Sequence, residues 1–487
     1  MNRRRFIGAG MALALGAAAL PGTLEGQGAA RAQRRRTRRR RPGDRPDILV
    51  ITTDQQHAGA LGCAGNAWLR TPAMDRIAAG GVRFERAYCA NPICVPSRTS
   101  YMTGSMPHEN GVTFNGDVAP FARDRFPCLA QVFRAAGYDT GHFGKWHIPA
   151  DIRDQDWSGF NTLDAVRNNE VDFDIVRPCL EFIRSDRAGP FFAIASFVNP
   201  HDICEYARIL SGIPDRLKNG PIGEPPPLAQ LPPLPANWAA PADEPQAVRD
   251  IYHHPDALRT YPSRTWQGPD DPRWRQYLWA YYRMTELVDR HIGELLDGLA
   301  AAGLDDNTLI VLASDHGDGM ASHQWNQKTL FYDTCARVPF LVRWPGRLPA
   351  GAVNGTALVN LGLDLFPTLF DAAGITPPRR LQGLSALPAA RGQPGAPAHP
   401  FIISQNNLQS RYGGPGPVSG RMLRSHRFKY VRYSAGANPE QLFDLHNDPL
   451  ETRSLVACPD HRHTLDAHRE RLANWCRQHH DPFFAYK

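Results

Sequence analysis

At 487 residues, 42% of them hydrophobic and 21% charged, the chain is too long for one small core and too apolar for a disordered one; it suits a large α/β domain with a smaller one beside it. The formal charge of +7 sits at one end: residues 1–41 hold eleven arginines against the single acid Glu25, a net +10 that leaves the remainder at −3, without the basic composition of a nucleic-acid-binding domain. None of the nine cysteines forms a Cys-x-x-Cys pair, which argues against a structural zinc site.

The chain opens with Asn2-Arg3-Arg4-Arg5-Phe6-Ile7, which resembles the twin-arginine export pattern. An apolar run from Gly8 to Leu20 follows, shorter than the ~20 residues of a membrane span. Ala30-Arg31-Ala32 then offers an Ala-x-Ala cleavage site. Residues 1–32 are therefore expected to be an export signal read by the twin-arginine translocon, with an uncleaved short anchor as the alternative. Residues 33–46 are expected to be a basic disordered tail, and the folded domain to be periplasmic or secreted.

Asp47-Ile48-Leu49-Val50-Ile51-Thr52-Thr53 is a continuous β-branched run, the signature of a parallel strand buried on both faces, and Asp54 follows it. Residues 191–198 and 308–313 repeat the pattern, ending in Asn199-Pro200-His201-Asp202 and Ser314-Asp315-His316-Gly317. Helical patterns at 71–79, 128–136, 176–184 and 274–301 alternate with them. The predicted fold class is α/β: a large mixed, mostly parallel sheet flanked by helices, spanning 47–385. Three strands thus release Asp or His past their carboxyl ends, the edge at which open α/β sheets bind ligands. The proline-dense stretch 219–247 reads as a long surface loop beside the substrate entrance. Residues 386–400 read as a linker. Short strand patterns at 401–404, 421–423, 428–433 and 441–445 and a helix over 461–479 predict a C-terminal subdomain, 401–487, of antiparallel sheet plus helix.

Two segments carry chemistry. In the first, Asn91-Pro92-Ile93-Cys94-Val95-Pro96-Ser97-Arg98-Thr99-Ser100-Tyr101-Met102-Thr103-Gly104, Pro96 suits the first turn of a helix and Arg98 shares the helix face of Cys94. A nucleophile at a helix N-terminus gains from the free N–H groups there. The second is Gly137-Tyr138-Asp139-Thr140-Gly141-His142-Phe143-Gly144-Lys145-Trp146-His147; in an extended chain Lys145 and His147 point the same way. A cation beside an imidazole suits an anionic group that must lose an oxygen. At the strand ends, Asp54, Gln55, Asp315 and His316 form an oxygen-rich donor set for a hard divalent ion.

Cys-x-Pro-Ser-Arg at Cys94–Arg98 resembles the signature of the sulfatase family, in the alkaline phosphatase superfamily. There the cysteine is oxidised to formylglycine by a formylglycine-generating enzyme. Gly137 to His147 is similar to the family's Gly-Tyr-x-Thr…Gly-Lys-x-His pattern, and residues 441–449 to its late Leu-Tyr-Asp-Leu…Asp-Pro run. Val95, Tyr101 and Phe143 depart from the family pattern, as does Gln55, which stands where many members have a second aspartate. The resemblance implies a metal site of Asp54, Gln55, Asp315, His316 and the Cys94-derived hydroxyl, holding calcium, with manganese or magnesium as alternatives. It implies catalytic roles for Cys94, Arg98, Lys145, His147, His201 and Lys328. Arg98 steadies the nucleophile, Lys145, His201 and Lys328 hold sulfate, His201 or Lys328 protonates the leaving alcohol, and His147 is the base. His323 is a substrate contact or a loop residue; His57 and Asp202 are structural. Consuming Cys94 leaves eight cysteines free to pair in an oxidising compartment. The expected substrate is a sulfated carbohydrate or an aryl or alkyl sulfate. Gln55 sustains an alternative, a phosphonate monoester or phosphodiester hydrolase on the same fold; a non-catalytic binder of sulfated glycan is a third reading.

Overall fold

The computed structural model describes residues 45–116, 121–164, 171–253, 258–408 and 418–484. The predicted export signal and all of the basic tail before Arg45 lie outside them. The first strand, Asp47–Asp54 (β1), is buried along its whole length, as its unbroken apolar run requires. Strands Val82–Phe84 (β2), Ala87–Tyr88 (β3), Asp139–Gly144 (β4), Thr162–Asp164 (β5), Phe191–Pro200 (β6), Thr308–Ser314 (β7), Phe340–Arg343 (β8), Ala352–Asn354 (β9) and Val359–Asn360 (β10) follow. Eight of them form one sheet in the order β5-β4-β6-β1-β7-β8-β2-β9, while β3 pairs with β10. The centre, β5-β4-β6-β1-β7, is parallel; β8 runs antiparallel to both β7 and β2.

Helices cover both faces. Pro72–Ala79 (α1), Cys94–Thr103 (α2), Leu129–Ala135 (α3), Phe173–Arg184 (α4), Ile203–Leu210 (α5), Pro272–Ala301 (α6), Leu361–Ala373 (α7) and Arg462–Gln478 (α8) are the principal ones. Ile48 and Val50 of β1 pack with Phe192, Ile194 and Val311 against α2, α3 and α7. Leu49 and Ile51 pack with Ala193, Ile310 and Leu312 against α1, α4 and α6. Alternate residues of one strand thus feed two cores, which is why the run has no polar alternation.

The predicted small sheet is Phe401–Leu408 (β11), Val418–Ser425 (β12), Phe428–Tyr433 (β13) and Glu440–Asp444 (β14), antiparallel throughout. Leu465 and Leu472 of α8 pack on Ile403, Leu423, Tyr430 and Leu442, and Ala90, Met106 and Leu363 join the same cluster. The stretch 386–400 starts with one helical turn, Leu387–Ala390, whose Leu387 and Ala390 are buried in the main core. The proline-dense stretch 219–247 is largely irregular and packs Leu234 and Trp238 against Trp274 and Tyr277. All nine cysteines are unpaired. No helix among the described residues is long and apolar enough to cross a membrane.

Because β4, β6, β1 and β7 are parallel neighbours, their carboxyl ends deliver Lys145, His201, Asp54 and Asp315 to one edge. The extended geometry expected for Lys145 and His147 does not occur. The strand stops at Gly144 (φ +97°), and His147 itself takes a positive φ of 52°. Turning at Gly144 lets the Lys145 N–H donate to the Ser196 carbonyl at 2.8 Å. A Cβ at position 144 would collide with that same carbonyl. Gly144→Ala is therefore expected to cost roughly 3 kcal/mol, from left-handed strain plus displaced backbone. Denaturant unfolding checks this; an unchanged midpoint contradicts it.

Candidate active site

Cys94 is the first residue of α2 and is 1% exposed. Its Sγ lies 3.2 Å from His316 Nε2, 3.8 Å from Asp54 Oδ1 and 3.2 Å from Lys328 Nζ. One ligand atom each from Asp54, Cys94, Asp315 and His316 lies within 4.8 Å of all the others, and all four residues are buried. The loop after β7 supplies two of them, β1 the third and the helix start the fourth.

The outer oxygens of the two carboxylates are held by cations. Arg98 Nε donates to Asp315 Oδ2 at 2.8 Å and Nη2 to Asp54 Oδ2 at 3.0 Å. Its Nη1 donates to the Lys145 carbonyl at 3.0 Å and to Ser196 Oγ at 2.9 Å. Lys145 Nζ adds an ion pair to Asp54 Oδ2 at 2.6 Å. Asp315 Oδ1 accepts from the backbone N–H groups of Gln55 (3.0 Å) and His316 (2.9 Å). With its nitrogens so engaged, Arg98 clamps the two carboxylates that flank Cys94.

Burial pushes the Asp54 carboxyl up, but Lys145, His201, Arg98 and Lys328 outweigh it and hold Asp54 well below the usual range. Burial and Asp54 raise Asp315. The Cys94 thiol is pushed up by burial and by Asp54, yet Lys328, Lys145 and His316 bring it well below its ordinary value. Burial, Lys328 and Lys145 lower His201, opposed by Asp54 and a hydrogen bond with Cys94. Burial opposes protonation of Lys328, but Cys94, Cys204 and Asp54 raise it overall.

The donor set fits a hard divalent metal. Asp54 and Asp315 offer carboxylate oxygens, and His316 Nδ1 lies 2.9 Å from the Gly317 carbonyl. That carbonyl only accepts, so Nδ1 donates to it, and Nε2, which faces Cys94 and both carboxylates, is the atom that would offer its lone pair to a metal. The thiol is the one soft donor; an oxygen there would complete a hard set. Gln55, expected as a ligand, has φ 69° and turns its amide so that Oε1 accepts from Lys328 Nζ at 2.8 Å. Lys328 thereby bridges Gln55 and Cys94.

Lys328 rides on a tight loop with positive φ at Met320, Ala321, His323, Gln324 and Thr329. Three bonds fix its end: Thr329 N–H to the Pro92 carbonyl at 2.8 Å, Asn406 Nδ2 to the Thr329 carbonyl at 2.6 Å, and Trp325 Nε1 to the Lys328 carbonyl at 3.0 Å. His323 stacks on Tyr332 with ring centroids 3.9 Å apart, and burial pushes it down to about 4. No hydrogen bond joins His147 to Cys94; its Nδ1 is buried without a partner. Asp202 accepts the N–H groups of Lys218 (2.7 Å) and Asn219 (2.8 Å), and His57 Nδ1 that of Gly59 (3.1 Å). Sequence reasoning missed Ser196, Cys204, Tyr277, Tyr281 and Asp318. Tyr277 and Tyr281 were the findable pair, one turn apart on one face of α6.

A family model described as Sulfatase matches residues 46–375, and one described as N-sulphoglucosamine sulphohydrolase, C-terminal, matches 321–478. The chain is 30% identical over 468 residues to a Delta 4,5-hexuronate-2-O-sulfatase of Bacteroides thetaiotaomicron, covering 91% of each. It is 29% identical over 448 residues to an ulvan-active sulfatase of Formosa agariphila, covering 85% of this chain and 78% of that one. The solved structure of a 2-O GAG sulfatase superposes with a TM-score of 0.79 at 29% identity, covering 91% of this chain and 94% of that one.

Arg98→Ala would leave Asp54 and Asp315 buried with their shared cation gone. It is expected to lower the unfolding free energy of the metal-free protein by about 3–5 kcal/mol. Urea unfolding reads this directly, and a loss below about 1 kcal/mol would show that Lys145 alone neutralises the pair.

Proposed function

We propose, given that the chain belongs to the sulfatase family and is a sulfuric ester hydrolase, that its substrate is a sulfated carbohydrate and that Cys94 acts after oxidation to formylglycine. The carrying observation is the buried Cys94 Sγ, ringed by Asp54, His316 and Lys328 at the start of α2. An ordinary core cysteine gathers no such set: Cys179 and Cys128 are pushed up by burial, while the field at Cys94 draws the thiol down. The hexuronate-2-O-sulfatase likeness over nine-tenths of both chains supports a glycan substrate.

A divalent metal held by Asp54, Asp315, His316 and the position-94 side chain, with Gln55 beside them, would supply Lewis-acid polarisation of that side chain's oxygen. Calcium suits the donors, with manganese or magnesium as alternatives. The remaining steps belong to the chain. Formylglycine hydrates to a geminal diol; one hydroxyl, its proton passed to water, attacks the ester sulfur. Arg98 keeps Asp54 and Asp315 ionised and in place as it does so. Lys145 and Lys328 neutralise the sulfate oxygens as the sulfur–oxygen bond to the sugar breaks. His201, held neutral by burial and the two lysines, orients the sulfate, and Lys328 gives its proton to the leaving alcohol. The aldehyde form carries no thiolate, so the charge that most strongly holds Lys328 protonated disappears. In the second half the other hydroxyl loses its proton to His147, whose Nδ1 has no other partner. The carbonyl re-forms and sulfate leaves.

The reading includes export of the folded, modified protein to the periplasm or beyond by the twin-arginine translocon, and modification by a formylglycine-generating enzyme beforehand. Sulfate release from a 2-O-sulfated unsaturated uronide, with a phosphonate monoester and a phosphodiester as comparisons, tests the substrate class. The expected result is preference for the sulfate ester, with turnover lowered on the order of 10⁴-fold or more by Cys94→Ala. Preference for the phosphorus esters would select the alternative that Gln55 keeps open, and full activity of Cys94→Ala would end the mechanism.

A further inference from the structure

We infer that Asp318, which hydrogen-bonds to Gln55 but to none of Asp54, Cys94, Asp315 and His316, is the positioning residue that fixes which end of the Gln55 amide faces the catalytic cluster, and so dictates a neutral oxygen at position 55. The inference rests on the reading of the Cys94 centre as a metal-dependent sulfatase site.

Asp318 is completely buried. Its Oδ1 accepts from the Met320 N–H at 2.8 Å and from the Tyr277 hydroxyl at 2.9 Å. Its Oδ2 accepts from Gln55 Nε2 at 2.8 Å and from the same hydroxyl at 2.8 Å. The Gln55 backbone is pinned on both sides. Its N–H donates to Asp315 Oδ1 at 3.0 Å and its carbonyl accepts from Tyr281 Oη at 2.6 Å. With the backbone held at φ 69°, the freedom left is the half-turn of the terminal amide, whose two ends have nearly the same shape.

The partners remove that freedom. A carboxylate only accepts, so the NH₂ end must face Asp318. An ammonium only donates, and Lys328 Nζ lies 2.8 Å from the other end, which must therefore be the oxygen. Cys204 Sγ, 3.4 Å from that oxygen, is a second donor. The amide is an adapter between an acceptor-only residue and a donor-only one. A carboxylate at position 55 would instead set two buried anions 2.8 Å apart.

The logic predicts a compensating pair. In Asp318→Asn the Met320 N–H still requires an oxygen at the Oδ1 position, so the new NH₂ group points at Gln55. Gln55 must then turn its oxygen toward residue 318 and present NH₂ to Lys328, donor against donor. Gln55→Glu alone opposes Asp318. Together the two changes agree again: the new amide at position 318 donates to one oxygen of the new carboxylate at position 55, and Lys328 donates to the other.

The experiment is calorimetric titration of the metal-stripped full chain with Mn²⁺ and with Ca²⁺, for wild type, Asp318→Asn, Gln55→Glu and the double variant. Each single change is expected to weaken metal binding by at least about tenfold, the scale of lost outer-shell orientation, and the double variant to return to within about threefold of wild type. A residue that merely packs gives no such rescue. Asp318→Asn within about twofold of wild type, or a double variant no better than the weaker single, overturns the inference. Wild type that binds neither ion overturns the metal-dependent reading and the inference with it. Should Asp318→Asn fail to fold, Gln55→Glu against the double variant decides in the same way.

Discussion

Two buried carboxylates at the ends of adjacent parallel strands are the constraint around which this molecule is arranged. Asp54 and Asp315 are both 0% exposed, and like charges in a low-dielectric interior are costly unless cations share the space. Arg98 answers that requirement by bridging the outer oxygens, and Lys145 by pairing with Asp54. Both are delivered by secondary structure rather than by loose side chains. Arg98 sits on the helix whose first residue is Cys94, and Lys145 follows the turn at Gly144. The clamp is thus also what sets the nucleophile against the inner oxygens.

On the formylglycine reading, the charge balance accounts for a site that is stable before modification and reactive after it. In the thiol form, Asp54, Asp315 and a Cys94 driven toward thiolate face Arg98, Lys145 and Lys328. Oxidation of Cys94 to an uncharged aldehyde would remove one anion and leave the cations in excess, a field that draws in an anionic ester. On the proposed mechanism, the same cations that depress the thiol would then become the sulfate-binding groups. Cost and function are therefore one arrangement: the burial that penalises these charges is what makes them effective toward a developing negative charge.

The elements were legible where burial is local. Unbroken apolar runs marked β1, β6 and β7, and 3.6-residue spacing marked α1, α4 and α6, because each depends only on neighbouring side chains. The convergence of Asp54, His201 and Asp315 followed from three such strands ending in polar residues. What could not be read depends on register across the sheet and on backbone turns. That Arg98 spans two carboxylates requires knowing that β1 and β7 are neighbours, which no local pattern states. The divergence of Lys145 and His147 comes from positive φ at Gly144 and His147, and a histidine gives little warning of it. Gln55 appeared as a bare departure from a motif; Asp318, Tyr277 and Lys328 give it a reason, but they come from α6 and from the loop after β7, far from Gln55 in the chain. Leu387–Ala390 was hidden in a proline- and glycine-rich stretch whose composition reads as linker, although tertiary burial orders its first turn.

The central claim is that Cys94 is a precursor rather than a structural thiol. The most direct measurement is the mass of the peptide carrying Cys94, from protein produced together with a formylglycine-generating enzyme. The account predicts the mass of the aldehyde or its hydrate at position 94. An intact thiol at that position, in protein exposed to competent modifying machinery, would contradict it.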